Sequence, residues 1–194
     1  LAHNLHKEGI GDPDFGLYRG AQRRSWMRNQ QLFFSLRNLL DDLRARGWNP
    51  YLLKGVALAT SVYPNAGLRP MHDLDIWLPA EQAAQAADWL TTQGWSWQPH
   101  PWAPGKANFE VWSGFNLEGP NQLPIDLHGH ILNERCLPSV TRRLTARPRL
   151  LESWGCATLG PSEQLLHVLV HGLHSGESNL RWWADAHFLI HHPQ

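Results

Sequence analysis

The chain has 194 residues, 42% of them hydrophobic, which is enough for one domain with a real core and excludes global disorder. Its 17 Lys and Arg balance 17 Asp and Glu, and a net charge of zero argues against a protein built mainly to coat nucleic acid or an anionic membrane. Two cysteines, Cys136 and Cys156, make neither a disulfide framework nor a zinc spacing, and no apolar run approaches the roughly 20 residues that cross a bilayer.

Residues 1–20, with Gly9, Gly11, Pro13, Gly16 and Gly20, read as an irregular lead-in. From Ala21 to Arg46 the pattern is helical, with Trp26, Phe33, Leu36, Leu40 and Leu43 on one stripe and Gly47 placed to end it. Tyr51–Leu53 reads as a buried strand, broken by Lys54–Gly55 and followed by a short helix, Val56–Val62. After a turn-rich loop, Pro64–Pro70, a strand is expected over Asp73–Leu78, with Leu74, Ile76 and Leu78 on one face and Asp73, Asp75 and Trp77 on the other. Pro79–Gln93 reads as a helix stopped by Gly94. Trp95–Gln98 and Asn108–Leu117 read as strands around the Pro-rich segment Pro99–Lys106. Gly119–Asn121 is a turn, and Leu123–His128 a further strand. Asn133–Leu151 is expected to be helical, interrupted by Pro138 and Pro148, with a short strand at Cys156–Leu159. Helices are expected at Pro161–Leu173 and Asn179–His191. Intermixed helices and strands define an α/β (or α+β) class with a mixed sheet. Residues 1–160 would form the core with its N-terminal helix, and 161–194 a helical segment packed on it.

No charged-then-apolar leader opens the chain, so the expected location is cytoplasmic; a start at Leu1 and a stop within an apparent helix point to a piece of a longer protein.

Asp73 and Asp75 share one face of their strand, and two like charges beside buried apolar neighbours are unfavourable unless a cation or donor neutralises them. A third carboxylate comes from Leu123–His128, where Ile125 and Leu127 face one side and Asp126 and His128 the other. If the two strands pair, Asp73, Asp75 and Asp126 form one patch able to hold divalent ions that also bridge to phosphates, Mg²⁺ or Mn²⁺ by their preference for oxygen donors. An isolated D-x-D strand would more simply expose its polar face to water. The apolar opposite face of both strands and the preceding Lys54–Gly55 turn favour the metal site.

These residues resemble a family. Leu52-Leu53-Lys54-Gly55 with Ala57-Leu58, Tyr63-Pro64, and Arg69-Pro70-Met71 leading to Asp73-Leu74-Asp75-Ile76 look like the uncharacterised nucleotidyltransferases of the DNA-polymerase-β-like superfamily. Ile125-Asp126-Leu127-His128, the Ser162–Leu173 helix with His171, and Arg181-Trp182-Trp183-Ala184-Asp185 also fit, so the resemblance spans roughly Gln22 to His191. It implies a mixed-sheet nucleotidyltransferase core flanked by helices, with Asp73 and Asp75 binding metal and Asp126 completing the triad and helping to deprotonate the attacking hydroxyl. The implied reaction moves a nucleoside monophosphate from an NTP to an acceptor hydroxyl and releases pyrophosphate. One ion would be held by all three carboxylates and a second by Asp73 and Asp75. Most of the superfamily carries Gly-Ser at the first turn; this chain, like the family it resembles, has Lys54-Gly55. Gly55 permits close backbone approach by an anion, Lys54 offers a point charge, and Arg69 either contacts phosphate or pairs with Asp73 or a backbone carbonyl. That replacement keeps open an alternative of another class, an inactive nucleotide-sensing or protein-interaction module. The acceptor could be a protein side chain, an antibiotic-like small molecule, a sugar or an RNA end.

His128 is placed to line the carboxylate cleft. His167, His171 and His174 share one helical face, so a histidine-based zinc site is a third reading, but the H-E-x-x-H glutamate is missing. Arg142, Arg143, Arg147 and Arg149 read as a solvated helix face, and Trp95, Trp97, Trp102 and Trp112 as packing or a stacking platform. Arg181 and Asp185, one turn apart, read as a simple i,i+4 pair. No phosphate loop, dinucleotide turn or nucleophile elbow is present, which removes most support for ATPase, nicotinamide oxidoreductase and serine hydrolase readings.

Overall fold

Leu32, Phe33, Leu36, Leu39, Leu40 and Leu43 recur at helical spacing and bury one stripe of a long helix, α1 (Phe15–Ala45). The computed structural model describes residues 7–9, 11–98, 108, 109, 112–132, 137–174 and 180–192. Helix α1 begins six residues before the expected start, because the Asp14 carbonyl accepts from the Leu17 and Tyr18 amides and nucleates it there. Gly16 and Gly20 are absorbed into the helix, since a glycine lowers helix propensity by about 1 kcal/mol without breaking the backbone ladder. At the other end Gly47 takes φ +81°. Its amide donates to Arg44 O and that of Trp48 to Leu43 O, the paired bonds of a Schellman stop.

The chain then lays down β1 (Tyr51–Leu52), α2 (Lys54–Ser61), β2 (Leu74–Trp77), α3 (Ala80–Thr92), β3 (Ser96–Trp97), β4 (Gly114–Gly119), β5 (Leu123–His128), α4 (Pro138–Leu144), β6 (Arg149–Leu151), β7 (Cys156–Thr158), α5 (Pro161–His174) and α6 (Arg181–His191). The seven strands form one mixed sheet in the order β3-β4-β5-β2-β1-β7-β6. Strand β2 runs parallel to β5 and antiparallel to β1, while β1 is parallel to β7.

Two stretches differ from the sequence reading. The strand expected over Asn108–Leu117 starts only at Gly114, because the Trp112 amide turns back onto Asn108 O and Phe109 tucks edge-on against Phe115. The helix expected over Asn133–Leu151 is confined to Pro138–Leu144 within the described residues. Pro138 suits its first turn, Pro148 cannot extend it, and Arg149–Leu151 pairs as strand β6. The Pro99–Lys106 segment, Trp102, Cys136 and residues 133–135 lie outside the described residues. Cys156 is a free, buried thiol whose pKa is pushed up to about 11 by burial.

Leu74, Ile76, Ile125 and Leu127 on the sheet pack with the α1 leucines and with Ala83, Ala86, Ala87 and Leu90 of α3 in one core. On the far side of α2, Leu58, Val62 and Tyr63 join Val168, Ala186 and Leu189 of the last two helices. A third cluster holds Leu53, Trp77, Ile131, Leu144 and Leu159. Both faces of β2 are therefore covered, and all four of its residues are buried. Among the described residues no helix is long and apolar enough to cross a membrane.

Leu36 is fully enclosed, whereas Phe34 on the same helix is 70% exposed. Leu36→Ala is expected to lower the unfolding free energy by about 2–5 kcal/mol and Phe34→Ala by less than about 0.5 kcal/mol, as read from urea denaturation.

Candidate active site

The parallel register of β2 and β5 sets Asp75 directly beside Asp126, with Trp77 beside His128. Leu74 and Ile76 on one strand, and Ile125 and Leu127 on the other, are committed to the core. Strand alternation then forces Asp75, Asp126 and His128 onto the opposite side. There His128 Nε2 lies 3.1 Å from Asp75 Oδ1 and 3.0 Å from Asp126 Oδ2, so one ring N–H is shared between two carboxylates. From the start of α2, Lys54 brings Nζ to 2.7 Å from Asp75 Oδ1 and 4.0 Å from Asp126 Oδ2. Asp73, expected as the first residue of this strand, falls just before β2, at the exposed edge of the same cleft.

The quartet balances two negative charges with two positive ones. Burial alone would raise the Asp75 pKa, but the Lys54 ammonium and the His128 ring hold it far below the usual carboxylate range. Burial also works against charge on Asp126, and His128 and Lys54 bring its pKa below normal. Burial disfavours the His128 cation, yet Asp126 with the two shared hydrogen bonds lifts its pKa to about 9. Lys54 is likewise opposed by burial and raised on balance by Asp75 and Asp126. For Asp73 the Lys54 charge compensates only in part: burial, then the neighbouring Asp75 charge, raises its pKa on balance.

Two glycines shape the site. A Cβ on Gly55 would lie 3.0 Å from Met71 Cγ, so any side chain at the first turn of α2 would require Met71 to shift. A Cβ on Gly114, opposite His128 in the β4–β5 register, would sit 2.9 Å from His128 Nδ1 and 3.1 Å from Asp126 Oδ1. Nothing in the Gly114 sequence context marked it; only strand order reveals it.

The other wall comes from the C-terminal helices. Asp185 Oδ1 accepts from Tyr63 Oη at 2.6 Å and from Arg69 Nε at 2.7 Å, all buried. Beyond the pair expected with Arg181 one turn away, the Asp185 carboxylate reaches across to residues more than a hundred positions distant in the chain. Arg69 also donates from NH1 to Pro70 O at 2.9 Å, and its own carbonyl accepts from Asn29 Nδ2. Of the partners the sequence offers Arg69 (phosphate, Asp73 or a backbone carbonyl), the carbonyl is met at Pro70, and the acid it pairs with is Asp185 instead of Asp73. Burial, followed by the Asp185 charge, raises the Tyr63 pKa and keeps the phenol protonated. Lys54, Gly55, Arg69, Asp73, Asp75 and Asp126 face one cleft of about 230 Å³, closed on the far side by Val168, His171, Gly172, Arg181, Trp182 and Asp185.

Among the described residues, Asp75, Asp126 and His128 are the group whose donor atoms lie close enough, within 4.8 Å, to share an ion. The two adjacent carboxylates, with Asp73 at the edge of the same cleft, suit a hard divalent cation such as Mg²⁺ or Mn²⁺, while His128 keeps its N–H toward both acids. His167 is buried and kept neutral by burial and by the nearby Lys54 charge, and it does not join that group with His171. Arg142, Arg143 and Arg147 are exposed away from the cleft. Trp95, Trp97 and Trp112 pack on the core, which is the packing alternative for them.

A model of the family described as uncharacterised nucleotidyltransferase matches residues 1–194, and the chain belongs to that family. No curated protein matches it significantly. Among solved structures, it is similar to the lincosamide antibiotic adenylyltransferase LnuA in a lincomycin-bound crystal structure, with TM-score 0.52, 17% identity and coverage of 80% of this chain and 94% of that one. It is also similar to the antibiotic-resistance factor ANT(2'')-Ia, with TM-score 0.55, 10% identity and coverage of 84% and 83%. At these identities the likeness is one of fold, and it bears out the mixed-sheet class expected from the sequence.

Two outcomes follow from the charge arrangement. His128 has a folded pKa of about 9 against about 6.5 unfolded, so its contribution is fully present below about pH 6.5 and is lost as pH rises through 9. In chelator-treated protein, urea titrations should show stability falling by about 1–3 kcal/mol between pH 6.5 and 9.5, and His128→Asn should flatten that slope. Asp185→Asn should leave the Arg69 guanidinium buried without its anion and cost about 3–5 kcal/mol in the same assay.

Proposed function

We propose that the chain transfers a nucleoside monophosphate from an NTP to an acceptor hydroxyl, using a divalent ion, Mg²⁺ or Mn²⁺, held by Asp73, Asp75 and Asp126. The observation that carries this reading is the side-by-side register of Asp75 and Asp126 at the floor of a cleft that Lys54 and Arg69 also line. A bound divalent ion would supply charge neutralisation for the triphosphate and lower the pKa of the acceptor hydroxyl.

The chain's own residues supply the rest. Asp126, more open to solvent than Asp75, accepts the proton of the acceptor hydroxyl. The hydroxyl oxygen then forms its bond to the α-phosphorus as the bond from that phosphorus to the β-phosphate oxygen breaks, and the electron pair leaves with pyrophosphate. His128 holds both carboxylates in place from below through its shared N–H. Arg69, oriented by Asp185, lines the cleft, and Lys54 and the open backbone at Gly55 add contacts for the leaving phosphates. Positioning and electrostatics provide most of the rate in this class of transfer.

Two neighbours of this fold are an antibiotic adenylyltransferase and an antibiotic-resistance factor, which supports a small-molecule hydroxyl as the acceptor here and an adenylyl group as the first to try. Lys54-Gly55 in place of Gly-Ser at the phosphate turn, which removes the hydroxyl, favours the second reading, a nucleotide sensor without turnover.

Asp75→Asn is expected to lower pyrophosphate release from NTP, Mg²⁺ or Mn²⁺ and a panel of hydroxylated small molecules by at least about 100-fold, a transition-state loss of about 2.7 kcal/mol, with the circular dichroism spectrum retained. Turnover equal to wild type would refute the metal role. Nucleotide-dependent thermal stabilisation without pyrophosphate release from any acceptor would favour the sensor.

A further inference from the structure

Lys54 stands where its charge competes with the proposed ion. Its ammonium is 2.7 Å from Asp75 and 4.0 Å from Asp126, the two carboxylates that lie side by side on the cleft floor. The backbone that delivers it is fixed. Lys54 has φ +40°, a left-handed conformation that a non-glycine residue adopts only where its surroundings impose it. Leu53 before it is fully buried, and Gly55 after it is held against Met71. Only the four-carbon stem is free to swing, and the cleft it faces is the one lined by Gly55 and Arg69.

An ammonium and a divalent cation cannot both lie against one carboxylate pair without strong repulsion. An ion arriving alone must expel the ammonium and leave it buried without an anion, a costly state. An ion arriving with a triphosphate meets no such obstacle, because the phosphates receive the lysine. We propose that Lys54 is an exchangeable counterion. It neutralises Asp75 and Asp126 in the ion-free protein and moves to the triphosphate on loading, so that ion and nucleotide bind with positive coupling. This inference rests on the metal role assigned above to Asp75 and Asp126. By linkage the coupling is reciprocal: whatever factor nucleotide adds to ion affinity, the ion adds to nucleotide affinity.

The experiment measures Mn²⁺ binding to the ion-free full chain by the electron paramagnetic resonance of free Mn²⁺, with no nucleotide present. Wild type is compared with Lys54→Met, Lys54→Gln, Lys54→Arg and Asp75→Asn. Both neutral variants are unbranched, so they tolerate the φ at 54 as lysine does. They are expected to bind Mn²⁺ at least tenfold more tightly than wild type, Lys54→Arg within about twofold of wild type, and Asp75→Asn not at all. Neutral variants that bind as wild type does or more weakly, while Asp75→Asn still abolishes binding, overturn the counterion role and leave the metal site standing. Binding that Asp75→Asn does not alter, or none in any chain, overturns the metal reading itself.

A second measurement needs no variant. The lysines of the chain are Lys7, Lys54 and Lys106, so acetylation by an amine-reactive ester can be followed peptide by peptide. Lys54 labelling should be slow in ion-free protein, at least threefold faster with saturating Mg²⁺, and slow again when inorganic tripolyphosphate is added. A Lys54 rate that Mg²⁺ leaves unchanged overturns the proposal even if the neutral variants fail to fold.

Discussion

Two carboxylates pressed side by side repel, and much of the structure around Asp75 and Asp126 answers that repulsion. Their adjacency is not a choice of side chain but of register: the parallel ladder between β2 and β5 leaves them no other placement. Lys54 and His128 then carry the compensating charges, each from a neighbouring strand end, and each held charged against the cost of burial. The site is thus a closed electrostatic set. Removing one member leaves a buried charge unmatched, which in a low-dielectric setting is worth more than the loss of any single contact.

The rest of the molecule supports this arrangement from two directions. Beneath the sheet, the leucine stripe of α1 and the alanine face of α3 fill the apolar side of the central strands, and so determine which side chains are turned away from the core. Above it, α5 and α6 supply the facing wall. Their attachment is part apolar, through Val168, Ala186 and Leu189, and part polar, through Asp185. The carboxylate floor and the facing wall therefore come from different stretches of chain, and the loop from Tyr63 to Met71 is where they meet.

Much of this was legible in the sequence because it depends on local alternation. Leu123–His128 shows period-two patterning after a turn, and its boundaries are those of β5. The same logic put Asp75 on one side of its strand and Asp126 with His128 on one side of theirs. What alternation cannot convey is pairing between distant segments. The contacts of Asp185 with Tyr63 and Arg69 span 122 and 116 residues, and in the sequence a nearby arginine offered a simpler explanation. Asp73 falls outside β2, since strand ends depend on hydrogen bonds to a partner and not on the residue pattern. The early start of α1 was hidden by Gly16 and Gly20, which weaken a helix without stopping it. Gly114 was silent because its significance lies wholly in what stands opposite.

The Asp185 bridge has a consequence for how the molecule is made. Synthesis proceeds from the N-terminus, so the sheet and both floor carboxylates leave the ribosome before residue 185 does. Until that residue arrives, Arg69 and the Tyr63 hydroxyl lack their shared anion, and the apolar patch at Leu58 and Val62 has no cover. The facing side of the cleft consequently cannot be completed before α6 has emerged, and a nascent chain stalled short of α6 would present its carboxylate floor without that wall.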